Sequence, residues 1–452
     1  MSNAGGTPYQ AAQVFDGSYY NTAPIGISPR FGFAWDVLGN GKLAVRGGFD
    51  ILYDSSVSNV DDVLTLTDAP PATLIQTLNF TTLADMKTAP NFFRVANMTA
   101  GQRDFTLPST FDWHFGVQRD IGKGIVLDVS YLGYTTRHQS TSVDLNAIPL
   151  GTTWSGSTYN GFNSSIVDST NGGVLPTNLI RPYQGYGSIT YRQQNGNSNY
   201  NALQASINRR FGKRLTFIGN YTFSKTLNYS KTPFYDDKLS YSPGNTRRHN
   251  MNASWTYAMP DGSQLWKNPL TKVALDGWQL TGIFTAISGS SATVNYTVTG
   301  LPNGFTFSGS PTTSIQRIQV LDFNNMFTTP INNLDSGLNP AAFAVPSLSQ
   351  KGLGNAPPVL FWGPGSWNVD MSIFKIFKIK ERFNLEFRVE TYNTLNHPNM
   401  GNPSSLNYQV PWNNGNLGAQ NNLFFGKYYG ANGNTAYSNT ARVGVLALKL
   451  RF

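Results

Sequence analysis

Three ionisable residues stand on alternate positions of one short segment, Glu386, Arg388 and Glu390. Two carboxylates this close can divide acid and base work between them. The guanidinium between them argues for charge neutralisation instead, with Asp370 as a neighbour that extends the polar patch. The four histidines (His114, His138, His249 and His397) lie far apart, without an HExxH pair or a second ligand at metal spacing. His397 precedes Pro398 and reads as a turn residue. Arg247, Arg248 and His249 form a short basic run, suited to rim electrostatics or ligand contact. Gly352, Leu353, Gly354 and Asn355 follow no phosphate-loop pattern and precede no helix. With no cysteine, thiol nucleophiles, disulfides and zinc ribbons are excluded. The residues therefore predict no catalytic centre, no cofactor and no metal.

The two-residue spacing of that charged trio belongs to a strand, where successive side chains point to opposite faces. Phe383, Leu385, Phe387 and Val389 fall on one face, and Asn384, Glu386, Arg388 and Glu390 on the other. Trp367, Val369, Met371 and Ile373 oppose Asn368, Asp370 and Ser372 in the same way. Leu203, Ala205 and Ile207 oppose Gln204, Ser206 and Asn208, and Trp278, Leu280 and Phe284 oppose Gln279, Thr281 and Thr285. Further alternating segments cover about 26–36, 42–54, 110–120, 124–137, 214–226, 247–259 and 438–452. These runs suit the ~9–11 residues of a membrane-spanning strand better than the ~5–6 of a sandwich strand.

The connections alternate strictly. Short turns sit near 37–41, 121–123, 212–213 and 379–382, with a longer one at 260–274. Long Gly-, Asn- and Pro-rich stretches fill 55–109, 138–198, 227–246, 288–365 and 397–437. Short periplasmic turns and long extracellular loops are the habit of outer-membrane barrels. The fold class expected is therefore all-β, an antiparallel transmembrane barrel spanning 26–452 behind an N-terminal extracellular segment, 1–25. The closing strand ends on Leu448, Leu450 and Phe452, a terminal aromatic pattern expected to be read by the barrel-assembly machinery.

Composition agrees with this. Charged residues are only 13% and aromatics another 13%, which excludes a disordered chain. The net charge of +9 comes from basic residues scattered singly or in pairs, so no nucleic acid is expected as a partner. Outer-membrane lipid and lipopolysaccharide are. The first residues, Met1 to Pro8, carry neither a basic nor an apolar signal region, so the chain reads as a fragment or a mature segment. About eleven strands are counted, an odd number, whereas single-chain bacterial barrels have even numbers. Twice eleven is 22, the size of plugged outer-membrane transporters. Tyr186 to Arg192 is the place where a further strand would upset this count.

Residues 363–375, Gly-Pro-Gly-Ser-Trp-Asn-Val-Asp-Met-Ser-Ile-Phe-Lys, resemble the closing region of TonB-dependent outer-membrane transporters. Residues 387–399, Phe-Arg-Val-Glu-Thr-Tyr-Asn-Thr-Leu-Asn-His-Pro-Asn, are similar to the penultimate strand and loop of the same family. Residues 27–36 and 197–204 resemble the family too, and the 363–375 block resembles more narrowly its Oar-like branch, whose full-length members carry a carboxypeptidase-regulatory-like domain. The resemblance implies a 22-strand barrel around an N-terminal plug, driven by TonB through a box ahead of the plug. Plug, box and regulatory-like domain would all lie upstream of Met1. Asp370, Glu386, Arg388, Glu390, Gln204, Ser206 and Asn208 are then expected to line the lumen, and Arg247, Arg248 and His249 the extracellular rim. The alternatives are a self-contained pore and a soluble or surface β-rich adhesion protein. The ligand is not legible.

Overall fold

A computed structural model describes residues 21, 25–54, 97–104, 106–147, 158–159, 162–163, 181–183, 186–209, 214–231, 239–243, 247–264, 269–300, 317–328, 337–347, 350, 353–380, 383–399, 406–413, 416–423, 425–427 and 441–451. Phe452 and nearly all of the N-terminal segment fall outside these residues. Eleven strands form one continuous antiparallel meander. They are β1 (Arg30–Asp36), β2 (Leu43–Tyr53), β3 (Ser109–Gly122), β4 (Ile125–Asp144), β5 (Ile189–Arg209), β6 (Leu215–Lys231), β7 (His249–Ala258), β8 (Trp278–Ile287), β9 (Ser366–Lys380), β10 (Phe383–Tyr392) and β11 (Val443–Arg451). Each pairs with its sequence neighbours, so the short and long connections emerge at opposite ends of the wall.

Register turns the alternation of each strand into two continuous faces. One row runs Phe49, Trp113, Gly133, Asn201; the next runs Phe115, Tyr131, Leu203, Phe223 and His249. At the other side, Ile373 meets Val389, and Val389 meets Leu446. Leu203 is 44% exposed and Leu446 is 74% exposed, so this apolar face is not covered by a second layer. A soluble sheet would bury such a face; here it is the outer surface. Aromatic rings fill the gaps that glycines leave on it. Trp255 lies over Gly282, and a Cβ at Gly133 would fall 2.7 Å from Trp113 Cζ2. Large rings over bare backbone restore cover where a pleat has no side chain.

Two strands run further than their alternation. β4 continues to Asp144 and β5 begins at Ile189, with Ser140 to Asp144 pairing against Gln194 to Thr190. Here Ser, Thr, Gln and charged residues hold most positions of both faces, with Val143 opposite Tyr191, so the apolar alternation stops while the ladder goes on. The segment Tyr186 to Arg192 thus supplies the start of β5 and not a separate strand. Within this extension the register shifts past Thr136, where His138 takes a positive φ of 59°. At the tip, Asn146 is fully buried and its amide donates to the carbonyls of Tyr183, Tyr186 and Gly187.

Two of the long connections, 288–365 and 393–442, carry further strands. Asn295–Thr299 runs parallel to Asn407–Asn413, Ser291–Ala292 pairs with Phe361–Trp362, and Gln319–Val320 pairs with Phe343–Ala344. Together they enclose the main buried apolar cluster of the described residues: Val294, Tyr296, Ile318, Val320, Leu338, Phe343, Tyr408, Val410 and Phe425 among others. Burial pushes the Tyr296 and Tyr408 phenols up from their ordinary value. The molecule therefore keeps its core in a cap beyond the long-connection end of the wall.

Residues 393–399 form the corner between β10 and the rest of the cap. Asn393 and Asn396 adopt positive φ of 50° and 51°, the left-handed region that asparagine tolerates. Asn393 Oδ1 accepts from the His397 amide at 2.8 Å, and Asn396 Oδ1 accepts from the Arg442 amide at 3.0 Å. Asn399, 2% exposed, accepts from the Trp367 amide at 2.8 Å and donates to the Trp367 carbonyl at 2.9 Å. Three side chains thus fix the starts of β9 and β11 from one turn. Asn399→Ala orphans both Trp367 backbone groups, and a loss of about 1–3 kcal/mol is expected in denaturant unfolding. An unchanged midpoint would show that the corner is dispensable.

Candidate functional site

The polar face of the wall carries the expected lumen residues, and register shows which of them meet. On β10, Arg388 sits between its two strand neighbours on the same face. Its guanidinium lies 2.7 Å from Glu386 Oε1 and 3.1 Å from Glu390 Oε1. It also stacks 4.9 Å from the centroid of Phe374, its partner on β9. Glu386 is 2% exposed and has its negative charge met by Arg388 within hydrogen-bond distance. The trio is an ion cluster in which one guanidinium bridges two carboxylates, which suits architecture better than proton transfer.

Asp370 does not join that cluster through its Oδ1. This atom accepts from Asn368 Nδ2 at 2.7 Å and from the Asn393 amide at 2.8 Å, which ties it to the corner. On β5, Gln204, Ser206 and Asn208 share the polar face and pair in register with Ser130, Asp128 and Val126 on β4. Across β6 and β7 the same face continues with Asn220, which donates to Asn252 at 3.0 Å.

A second ion cluster lies on the first strands. Arg46 of β2 reaches Asp128 of β4 at 2.6 Å and Gln118 of β3 at 2.7 Å, so its charge spans three strands. Alternation puts all three residues on polar faces, but cross-strand partners depend on register, which alternation does not set. Nearby, Asp50 faces Asp112 directly, and the His114 ring lies over Gly48.

The rim residues divide. Arg247 Nη1 donates to the Ser288 carbonyl at 2.8 Å, and Arg248 lies 4.1 Å over the Trp362 ring of the cap. His249 instead belongs to the apolar row. Its ring sits 5.0 Å from Phe223, and Nδ1 is 2.7 Å from the Tyr221 hydroxyl. His397 packs against Trp367 with ring centroids 3.9 Å apart. His114, His249 and His397 thus each pack against a neighbour, and no group of three potential metal ligands occurs among the described residues. Leu448 and Leu450 lie on the apolar face opposite Phe387 and Leu385.

A wall with one apolar and one polar face, bounded by short turns at one end and a folded cap at the other, defines a membrane barrel surface. Residues 2–439 match the family described as outer membrane beta barrel domain. The chain belongs to this family. Its all-β antiparallel wall and its place in the outer membrane follow from that membership. Among solved structures, the outer membrane transporter YddB from Escherichia coli is similar at a TM-score of 0.41 and 10% identity, over 94% of this chain and 40% of that one. The ferric-catecholate import receptor Fiu from E. coli K12 is similar at 0.38 and 9% identity, over 93% and 34%. The copper transporter OprC is similar at 0.35 and 9% identity, over 94% and 39%. The chain spans two fifths of the length of these structures or less. Comparison with curated proteins finds no match.

Proposed function

We propose that this chain is the C-terminal part of the barrel of a TonB-dependent outer-membrane receptor, of the Oar-like branch. It acts as the wall of a conduit for a solute too large or too scarce for porins, and not as an enzyme. One observation carries the reading. The meander ends in β1 and β11, which are not joined by a ladder among the described residues, and β1 is exposed along all its length. In hydrocarbon each unpaired N–H and C=O costs several kcal/mol, so both edges need partners. Upstream strands of a longer chain would supply them, and doubling the count gives a 22-strand barrel.

In that barrel the polar face lines the lumen. Gln204, Ser206, Asn208, Asp370, Arg388 and Glu390 would meet water and an upstream plug, with Glu386 held beneath Arg388 on the same face, while Arg247 and Arg248 brace the rim against the cap. Leu448, Leu450 and Phe452 would carry the assembly signal to the barrel-assembly machinery. TonB would act only through the upstream region, and lipopolysaccharide would contact the outer leaflet side.

The test is the native size in purified outer membranes, read with an antibody to the last strand on heated and unheated gels. A heat-shifting band much heavier than 49.6 kDa is expected. A heat-shifting band at 49.6 kDa would overturn the receptor reading in favour of a self-contained pore.

A further inference from the structure

The connection between β7 and β8 lies at the short-turn end, yet it carries a helix, Pro269–Leu275. Two residues of the wall hold that helix. Trp278 Nε1 donates to the Ala274 carbonyl at 2.9 Å, and Lys375 Nζ donates to the Val273 carbonyl. Trp278 and Lys375 are direct partners across β8 and β9, on the row of Leu280 and Ile373 two residues away. That row is the apolar, outer face, so the helix lies against the outside of the wall and not beneath the lumen.

Lys375 is only 4% exposed. Its ammonium sits 5.8 Å from the Trp278 ring and 4.8 Å from the Phe377 ring. A cation on a lipid-facing surface is tolerated where a carbonyl and aromatic faces receive it, near the interface. The turn that leads into the helix is fixed as well. Asp276 accepts from the Ser263 amide at 2.8 Å and from its hydroxyl at 2.5 Å, bonds that hold its carboxyl below the ordinary value. Leu275 covers Gly262, where a Cβ would fall 2.6 Å from Leu275 Cβ.

With its carbonyls bound inward, the helix turns Leu270 (77% exposed) and Val273 (64% exposed) away from the protein. Lys272 stands between them in sequence. We propose that this helix is a lipid-binding element, seated in the headgroup boundary of the periplasmic leaflet with Leu270 and Val273 among the acyl chains. The apolar outer face of β8 and β9 continues directly into it, and that face is already the lipid surface of the barrel. Lys272 is placed to meet lipid phosphate at the same depth. Interfacial helices combine such an apolar side with basic residues, and tryptophan is favoured at that level.

The chain has no cysteine, so single spin labels are clean. Val273→Cys and Leu270→Cys would be labelled in the full chain, in vesicles of phosphatidylethanolamine and phosphatidylglycerol. Leu203→Cys on the outer wall and Lys123→Cys in a short turn serve as references. Access of oxygen and of a water-soluble nickel chelate would be read by EPR. The expected result is oxygen access at 270 and 273 approaching that at 203, with nickel access several-fold below that at 123. Nickel access equal to that at 123 would put the helix in periplasmic water and overturn the assignment. Exclusion of both reagents would mean a protein partner covers the helix, which overturns it too.

Discussion

Phe343→Ala is expected to melt the cap and leave the wall standing. Phe343 is 2% exposed and sits at the centre of the cap core, 5.7 Å from Phe425 and 6.4 Å from Tyr408 by ring centroids. Truncating a buried phenylalanine costs about 3–5 kcal/mol, through lost burial and the cavity left behind. The cap has few regular ladders, so a loss of this size exceeds what its short strand pairs can hold. The wall does not share the cost, because its stability comes from ladder bonds and its outer face from lipid. Limited proteolysis of intact membranes should cut the 288–365 and 393–442 segments in the variant, while the heat-dependent gel shift persists. Loss of that shift, or unchanged protease resistance, would show that cap and wall unfold as one unit or that the cluster is not a core.

The second large effect separates the two faces of β5. Leu203 lies on the outer face between Tyr131 and Phe223, and Gln204 lies on the polar face between Ser130 and Thr222. Arginine near the bilayer midplane costs about 2–4 kcal/mol on a lipid-facing site of a barrel. Leu203→Arg should therefore lower unfolding stability in lipid vesicles by that amount. Gln204→Arg, one residue on, should fall within about 0.5 kcal/mol of the parent, as exposed polar sites do. Equal losses at both positions would mean that the sheet buries both faces, as a sandwich does.

How the sequence relates to this structure differs by region. All eleven wall strands are legible from alternation, because a half-apolar strand writes its two faces into successive residues. The extensions of β4 and β5 are not, since Gln139 to Asp144 pair with Val143 as their one apolar residue. The cap is not legible in the sequence, where 288–365 and 397–437 read as long extracellular loops. Its parallel pair joins Asn295–Thr299 to Asn407–Asn413, more than a hundred residues apart, and such contacts leave no local period. The charged trio was legible as a same-face cluster, but the Arg46–Asp128 pair depends on the register of three strands. The block at 387–399, one of the two C-terminal blocks that carry the resemblance, holds the asparagine corner. What it specifies is how β9, β10 and β11 are joined, not a chemical site.

On the proposed receptor reading, the parallel pairing between the 288–365 and 393–442 connections has a thermodynamic consequence for anything captured at the cell surface. Ordering a flexible loop around a ligand costs about 0.5–1.5 kcal/mol for each rotamer-rich side chain that is immobilised. In this protein Tyr296, Phe343, Tyr408 and Phe425 are already locked together before a ligand arrives. Binding on the cap would therefore lose little conformational freedom. A contact made with one connection would be felt by the other through their common core.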